Sequence, residues 1–397
     1  VSTSRKEHIM AKRAAPGCGG IHKRTHTRNG KQYTYWEARI TTGRDPLTGK
    51  QVQRTFSGKT QKEVREKMQA VAVEVNRGTY TPPCKMTVGE WLDIWQKDYL
   101  GGVKPATVSS YEYCIRLHIK PALGAARLDR IHPHTIQGFI NALELAPQTV
   151  RHIWMVLHTA LEKAVDLEYI PKNPADKCVL PKMDRVEIKP LDDGKAAALL
   201  TAANGTDLEH LVAVALFTGM RLSELLGLTW DSVDVERGTI TVDKQLARPE
   251  HRAAGLFISP KSGKARTLTP APSVMLELKA QRRRQYEMQL QVGPEWDNVH
   301  GLVFTSATGG PLKQKSVRYH FTRLTAAAGL EGVRFHDLRH TYAVNAIRAG
   351  DDIKTVQSNL GHATAAFTLD RYAHFTESMR QDSAARMEGF IKTVLER

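Results

Sequence analysis

The stretch His336-Asp337-Leu338-Arg339-His340-Thr341 decides how this chain is read. His336 and Arg339 are three residues apart, so on a helix they share a face and both can approach one ligand. Arginine suits a phosphodiester: its planar guanidinium donates two parallel hydrogen bonds and stays charged. The same pattern also fits a helix-capping histidine beside a salt-bridged arginine.

Three further segments extend the pattern. Upstream, Thr218-Gly219-Met220-Arg221-Leu222-Ser223-Glu224 places Arg221 after a glycine at a helix start, with Glu224 at i+3. By itself that is an ordinary surface ion pair. Downstream come Leu360-Gly361-His362 and Asp370-Arg371-Tyr372-Ala373-His374. Taken singly, these read as a helix-end glycine with its neighbouring histidine and as an aromatic packed on a helix.

Outward from these segments, the chain reads as mainly α and multidomain. Residues 1–82 carry strand character at Ile21 to Thr27, Lys31 to Thr41 and Lys50 to Ser57. Asn29-Gly30 marks a hairpin turn between the first two. Thr60 with Glu63 reads as a capping box, followed by Val64, Met68, Val71 and Val75 at helical spacing. That stripe can cover one sheet face, formed by Trp36, Ala38 and Ile40. The other face offers Tyr33, Tyr35, Glu37 and Arg39. Residues 83–180 read as a helical bundle, with helices from Thr87, over Ala106 to Ile119 (ended by Pro121), over His134 to Leu145 and over Pro147 to Leu167. Trp91, Trp95 and Trp154 fall within apolar stripes and read as core. Residues 181–397 read as mixed α/β and mostly helical. Short strands are expected at Val235 to Lys244, Leu256 to Ser259 and Arg266 to Thr269, with helices resuming at Ser273, Lys313, His336, Asp352 and Ala365.

The chain of 397 residues carries 57 Lys+Arg against 41 Asp+Glu, a net +16 that points to a polyanion as partner. Residues 1–82 hold 17 Lys+Arg against 6 Asp+Glu, so +11 of the excess lies there. The uncovered sheet face, with Lys31, Tyr33, Tyr35 and Arg39, is therefore the expected DNA reader; a solvated basic sheet fits the same residues. Hydrophobic content of 41% is ordinary for a globular chain, and no run approaches the ~20 apolar residues of a membrane span. With no secretory signal in view, a cytosolic protein is expected. Cys18, Cys84, Cys114 and Cys178 form no CxxC pair, and four free thiols suit a reducing compartment. Cys18, His22 and His26 could form a metal cluster, but a fourth ligand is not evident nearby. No metal site is expected.

Together, Arg221 with Glu224, His336-Asp-Leu-Arg339-His-Thr, Leu-Gly-His362 and Tyr372 resemble the tyrosine recombinase family of phage-type integrases. Ile170-Pro-Lys-Asn-Pro-Ala175 looks like the junction before that family's catalytic domain. The N-terminal sheet and helix look like the arm-binding domain of integrases from conjugative transposons. The resemblance implies a division into an arm-DNA-binding domain (1–82), a helical core-DNA-binding domain (83–180) and a catalytic domain with a tail helix (181–397). It implies Tyr372 as nucleophile, forming a 3′-phosphotyrosine and freeing a 5′-hydroxyl. Arg221 and Arg339 would clamp the phosphate oxygens, His336 would assist as acid/base, and His362 would hydrogen-bond the scissile phosphate. The family's hairpin lysine falls at Lys261 in Pro260-Lys261-Ser262-Gly263-Lys264, with Lys264 as competitor. Glu224 would orient its neighbours.

The resemblance further implies excision and integration of a mobile element through a Holliday junction, by a homodimer to homotetramer on double-stranded DNA with core and arm sites. No metal and no ATP are expected as cofactors, and an accessory excisionase or DNA-bending protein would fit as partner. The apolar tail beyond Thr376 would dock on its own domain or on a neighbouring protomer. A type IB topoisomerase shares the chemistry but needs no arm reader. A non-cleaving DNA-binding regulator on the same fold would not need the full set of polar residues.

Overall fold

A computed structural model describes residues 20–395, apart from 29–30, 45–47, 78–79, 81–84, 184–188, 262, 363, 365 and 367–375. The chain divides into two compact units, residues 1–184 and 185–397.

The first unit opens with an antiparallel sheet of β1 (Ile21–Arg28), β2 (Lys31–Arg44) and β3 (Gln51–Gly58) in sequential order. Ala38 pairs with Ile21 on one side and Phe56 on the other. Alternation along β2 buries Ala38 and Ile40 and leaves Arg39 exposed. Helix α1 (Gln61–Asn76) lays Val64 and Val71 on that apolar face. Its cap departs from the expected reciprocal box. Thr60 accepts from Glu63 N, but the Glu63 carboxylate takes Lys59 N at 3.0 Å and Lys67 Nζ at 2.6 Å.

A separate apolar cluster follows, built by α2 (Val88–Asp98), α3 (Pro105–Cys114), α4 (Lys120–Leu123), α5 (Pro133–Asn141) and α6 (Pro147–Asp166). The capping box of Thr87 and Glu90 is complete. Trp91 is fully buried and its Nε1 donates to Ala160 O at 2.8 Å, which satisfies the one polar atom of the ring. Pro121 does not end the helix expected from Ala106 to Ile119. A π turn at Ile115–Ile119 widens the ladder, with Lys120 N bonding Ile115 O, and Pro121 enters the first turn of α4, where its missing N–H costs little. Within the segment Ile170 to Ala175, buried Asn173 donates to His158 O and Glu162 and accepts from Ala175 N.

The second unit contains α7 (Asp193–Ala203), α8 (Glu209–Thr218) and α9 (Leu222–Leu226), then β4 (Val233–Asp234), β5 (Thr239–Val242), β6 (Gln245–Leu246), β7 (Phe257–Ile258) and β8 (Arg266–Leu268). The single strand expected from Val235 to Lys244 is divided. The Asp234 carboxylate accepts from Glu236 N and Arg237 N, and Gly238 takes φ +64, so the chain turns back from β4 into β5. Strands β4, β5 and β8 form one small sheet; β6 and β7 form another. Four helices follow: α10 (Pro272–Val292), α11 (Gln314–Ala327), α12 (Phe335–Arg348) and α13 (Ile353–Leu360). α8 is buried nearly all round and forms the middle of this core. The helix expected from Ala365 falls mostly outside the described residues. The tail helix α14 (Thr376–Leu395) exposes Met387, Phe390, Ile391, Val394 and Leu395.

Candidate active site

Gly219 ends α8 in the left-handed region, at φ +63. A Cβ there would stand 2.5 Å from Tyr342 Cδ1 and 2.8 Å from Leu360 Cδ2, so both conformation and space demand glycine. The turn delivers Arg221 to the N-cap of α9, where Glu224 reaches back. The Glu224 carboxylate accepts from Arg221 N at 2.9 Å and from Arg221 Nη1 at 2.8 Å. Glu224 is fully buried, and it has a second cation on its other side: Arg266 Nη1 at 3.1 Å and Nη2 at 2.7 Å. Burial alone would push its pKa up. The hydrogen bonds and charge of Arg266, with Arg221 behind them, overcome that and hold it down at about 2.

Arg339 belongs to α12 and is 3% exposed. Its Nη1 donates to Gly219 O at 2.8 Å and its Nη2 to Leu360 O at 2.5 Å. Arg221 also reaches Leu360 O and Gly361 O, both at 3.5 Å. The end of α13 thus offers its unpaired carbonyls to both guanidiniums, where a helix C-terminus favours cations. Gly361 caps that helix at φ +63, and His362 follows, its N–H on Gln357 O. The start of α12 is fixed by Asp337, which accepts from Arg334 N at 2.8 Å and from the Arg334 guanidinium.

Both site histidines are held neutral at pH 7. Burial, then the charges of His340 and Arg339, lower His336 to about 4. Burial, then Arg339 and Arg221, lower His362 to about 3. A cavity of about 490 Å³ opens beside His336, with Arg221, His336 and Arg339 on its wall together with Ser223, Arg318 and Arg334. This arrangement can take an anion: fixed guanidiniums supply charge, and neutral imidazoles can donate or accept a proton.

Of the residues singled out in the sequence, the fold gathers Arg221, Glu224, His336, Arg339 and His362. Lys261 and Lys264 are both exposed on the turn joining β7 to β8, where Gly263 takes φ +71. Tyr372 lies outside the described residues. Of its rivals, Tyr342 is half-buried and its hydroxyl oxygen accepts from Asn359 Nδ2 at 3.1 Å, and Tyr319 is exposed. Lys31, Tyr33, Tyr35 and Arg39 belong to the first unit, at alternate positions of β2, with Tyr33 exposed and Arg39 bonded to Glu37 at 3.1 Å. His22 and His26 are exposed on β1; Cys18 lies outside the described residues.

Arg266 stands outside the sequence motifs. Its signal is alternation: Arg266 shares a strand face with Leu268, which is buried, so an arginine there calls for a buried acidic partner. Arg318 and Arg334 also escape sequence reasoning; nothing in their local sequence marks them as cavity residues.

The chain matches known protein families along much of its length. Residues 190–379 match the family model described as "Phage integrase family", and residues 87–144 match "Phage integrase, N-terminal SAM-like domain". The chain is 29% identical over 373 residues to a "Tyrosine recombinase XerC-like" protein of Caldanaerobacter subterraneus, covering 89% of this chain and 95% of that one. In fold it resembles the Tn1549 transposon integrase in complex with transposon right end DNA, at a TM-score of 0.65 and 23% identity over 76% of this chain and 100% of that one. It also resembles a lambda integrase tetramer bound to a Holliday junction, at a TM-score of 0.56 and 21% identity over 86% and 96% of the two chains. Among the described residues no helix is long and apolar enough to cross a membrane. The two matched regions take in most of the chain and include the segments that build the cavity wall, so the chain belongs to the phage integrase family of tyrosine recombinases.

Proposed function

We propose that this protein is a site-specific DNA recombinase that excises and integrates a mobile element. The observation that carries the reading is the convergence of Arg221 and Arg339 on one cavity wall beside a neutral His336, each guanidinium braced by carbonyls at the end of α13.

In this reading the Tyr372 Oη attacks the scissile phosphorus. The new P–O bond to tyrosine forms as the bond to the 5′-oxygen breaks, and that oxygen takes a proton from Lys261. Arg221 and Arg339 stabilise the added negative charge of the transition state. His336 accepts the tyrosine proton, and His362 hydrogen-bonds a non-bridging oxygen. A 5′-hydroxyl from the partner strand then attacks the phosphotyrosine: the new P–O bond forms as the bond to Tyr372 Oη breaks, the hydroxyl proton returns to Lys261, Tyr372 takes its proton back from His336, and a phosphodiester is restored through a Holliday junction. The phosphodiester energy is retained in the protein adduct, so the cycle calls on neither ATP nor a metal ion.

Residues 1–82 act as the reader of arm DNA, 83–180 as the reader of core DNA, and 181–397 as the catalytic part. The working assembly is a dimer to tetramer on double-stranded DNA in the bacterial cytosol, with an accessory excisionase or bending protein setting direction. The tetrameric lambda structure and the transposon integrase complex support this reading.

The test is a duplex nicked near the cut site, so that the released fragment diffuses away and the adduct is trapped. A covalent protein–DNA band that Tyr372→Phe abolishes is expected. An adduct that survives the substitution would overturn the nucleophile, and its absence from the wild type would overturn the reaction.

A further inference from the structure

Arg266 does not reach the cavity, yet it joins the segments that do. Its side chain is 8% exposed. Its Nε donates to Asn359 O at 2.8 Å, Nη1 to Glu224 Oε1 at 3.1 Å, and Nη2 to Glu224 Oε2 at 2.7 Å. It also packs against the turn that leads to His362, since a Cβ on Gly361 would stand 3.1 Å from Nη1. Its own strand, β8, is the one that leaves the Lys261 to Lys264 turn.

One cation would neutralise Glu224, and Arg221 already supplies it at 2.8 Å. A second guanidinium must therefore be accounted for by its geometry. Arg221 holds the two carboxylate oxygens through its N and Nη1, and Arg266 adds a planar guanidinium bond to each, so the Glu224 carboxylate is fixed in its plane and the Arg221 Nη1 that rests on it keeps one direction. The bond to Asn359 O fixes the end of α13, whose next two carbonyls receive Arg221 and Arg339. Lysine could reproduce the charge of Arg266 but not three donors in a rigid plane.

We propose that Arg266 is a positioning residue for strand cleavage: from β8 it clamps the Glu224 carboxylate and the Asn359 carbonyl, and so holds Arg221, the His362 turn and the lysine turn in one fixed arrangement. This rests on the recombinase reading above.

The experiment measures the single-turnover rate of adduct formation on the nicked duplex at saturating protein, with DNA affinity read separately by fluorescence anisotropy. Arg266→Lys is expected to slow adduct formation about 10- to 100-fold, as loss of a supporting partner does elsewhere. Affinity should stay within about 3-fold, because the lost interaction serves the transition state and not binding. In an Arg221→Lys background the further loss should be much smaller, since residues acting as one unit are not additive. A rate within about twofold of wild type, or losses that multiply in full, would overturn the proposal.

Should Arg266→Lys fail to fold, Glu224→Gln combined with Arg266→Gln removes the carboxylate together with the guanidinium that clamps it, leaving Arg221 as the charge there, and carries the same test. That pair, folded and cleaving at the wild-type rate, would also overturn it. Wild-type protein that forms no Tyr372-dependent adduct speaks against the recombinase reading. An adduct in wild type with no defect in the variants speaks against Arg266 alone.

Discussion

Arg339 Nη1 donates to the Gly219 carbonyl oxygen at 2.8 Å, joining two residues 120 positions apart. The glycine that ends α8 is thus also the seat of a buried guanidinium. The two sequence segments that flank the cavity are locked through backbone, so the position of Arg339 depends on the turn that delivers Arg221.

Gly219→Ala is therefore expected to damage both stability and chemistry. A side chain held in the left-handed region costs about 1–2 kcal/mol. Overlap with Tyr342 and Leu360 adds about 1–3 kcal/mol. The melting temperature of the second unit should fall by roughly 5 to 15 °C, and adduct formation should drop at temperatures where the variant is still folded. Thermal denaturation followed by circular dichroism checks the first claim; an unchanged melting curve would show that the turn relaxes freely.

Glu224 makes stability pH-dependent in the acid range. Its pKa is about 2 in the fold, against an ordinary glutamate value of 4.5. A lowered carboxylate pKa contributes stability that is fully present above about 4.5 and is lost as pH falls towards 2, a contribution on the order of 3 kcal/mol. Glu224→Gln leaves Arg266 and Arg221 without their counter-charge and should destabilise the protein by about 3 to 5 kcal/mol at neutral pH. The gap to wild type should narrow as pH drops from about 4.5 towards 2. Urea unfolding at a series of pH values gives the curve; a gap independent of pH would contradict it.

These two cases mark where sequence is legible and where it stops. Glycine before Arg221 and glycine before His362 can be read locally, because a left-handed cap is a property of a few consecutive residues. The apolar stripe of α1 and the alternation of β2 are legible for the same reason. Glu224 is different. Its spacing from Arg221 fits a solvated pair, and only the arrival of Arg266 from 42 residues away makes it a buried carboxylate between two cations. Pro121 misleads in the opposite direction: a local stop signal is overridden when a π turn shifts the ladder ahead of it. Local rules locate the caps; long-range pairing decides which polar groups are enclosed.

The histidines offer a direct test of anion binding. In the free protein His336 and His362 should titrate near 4 and 3. The unfolded chain binds protons to both from about 6.5 downward, so folding stability should fall as pH drops below about 6.5. An anion between Arg221 and Arg339 offsets the neighbouring positive charge and should raise both values by about 1 to 3 pH units. Carbon-detected NMR of labelled histidine, with and without sulfate or a DNA duplex, measures the change. Midpoints that do not move on DNA binding would place the phosphate elsewhere.

The N-terminal sheet should act on arm DNA through charge. Arg39 is exposed but held at 3.1 Å by Glu37, which also lies 3.9 Å from Arg24, so the sheet face carries one carboxylate among its cations. Arg39→Ala should weaken binding to an arm duplex and flatten the dependence of log Kd on log salt by about 0.9 for each phosphate no longer neutralised. Glu37→Gln should do the reverse, releasing Arg24 and Arg39 to face phosphate and tightening binding at low salt. Tyr33→Ala removes an exposed ring with no charge, so any loss of affinity should leave the salt slope unchanged. Anisotropy titrations from about 50 to 300 mM salt, a range in which the screening length passes through about 10 Å, separate these outcomes. A salt slope that Arg39→Ala leaves intact would remove Arg39 from the DNA-facing surface.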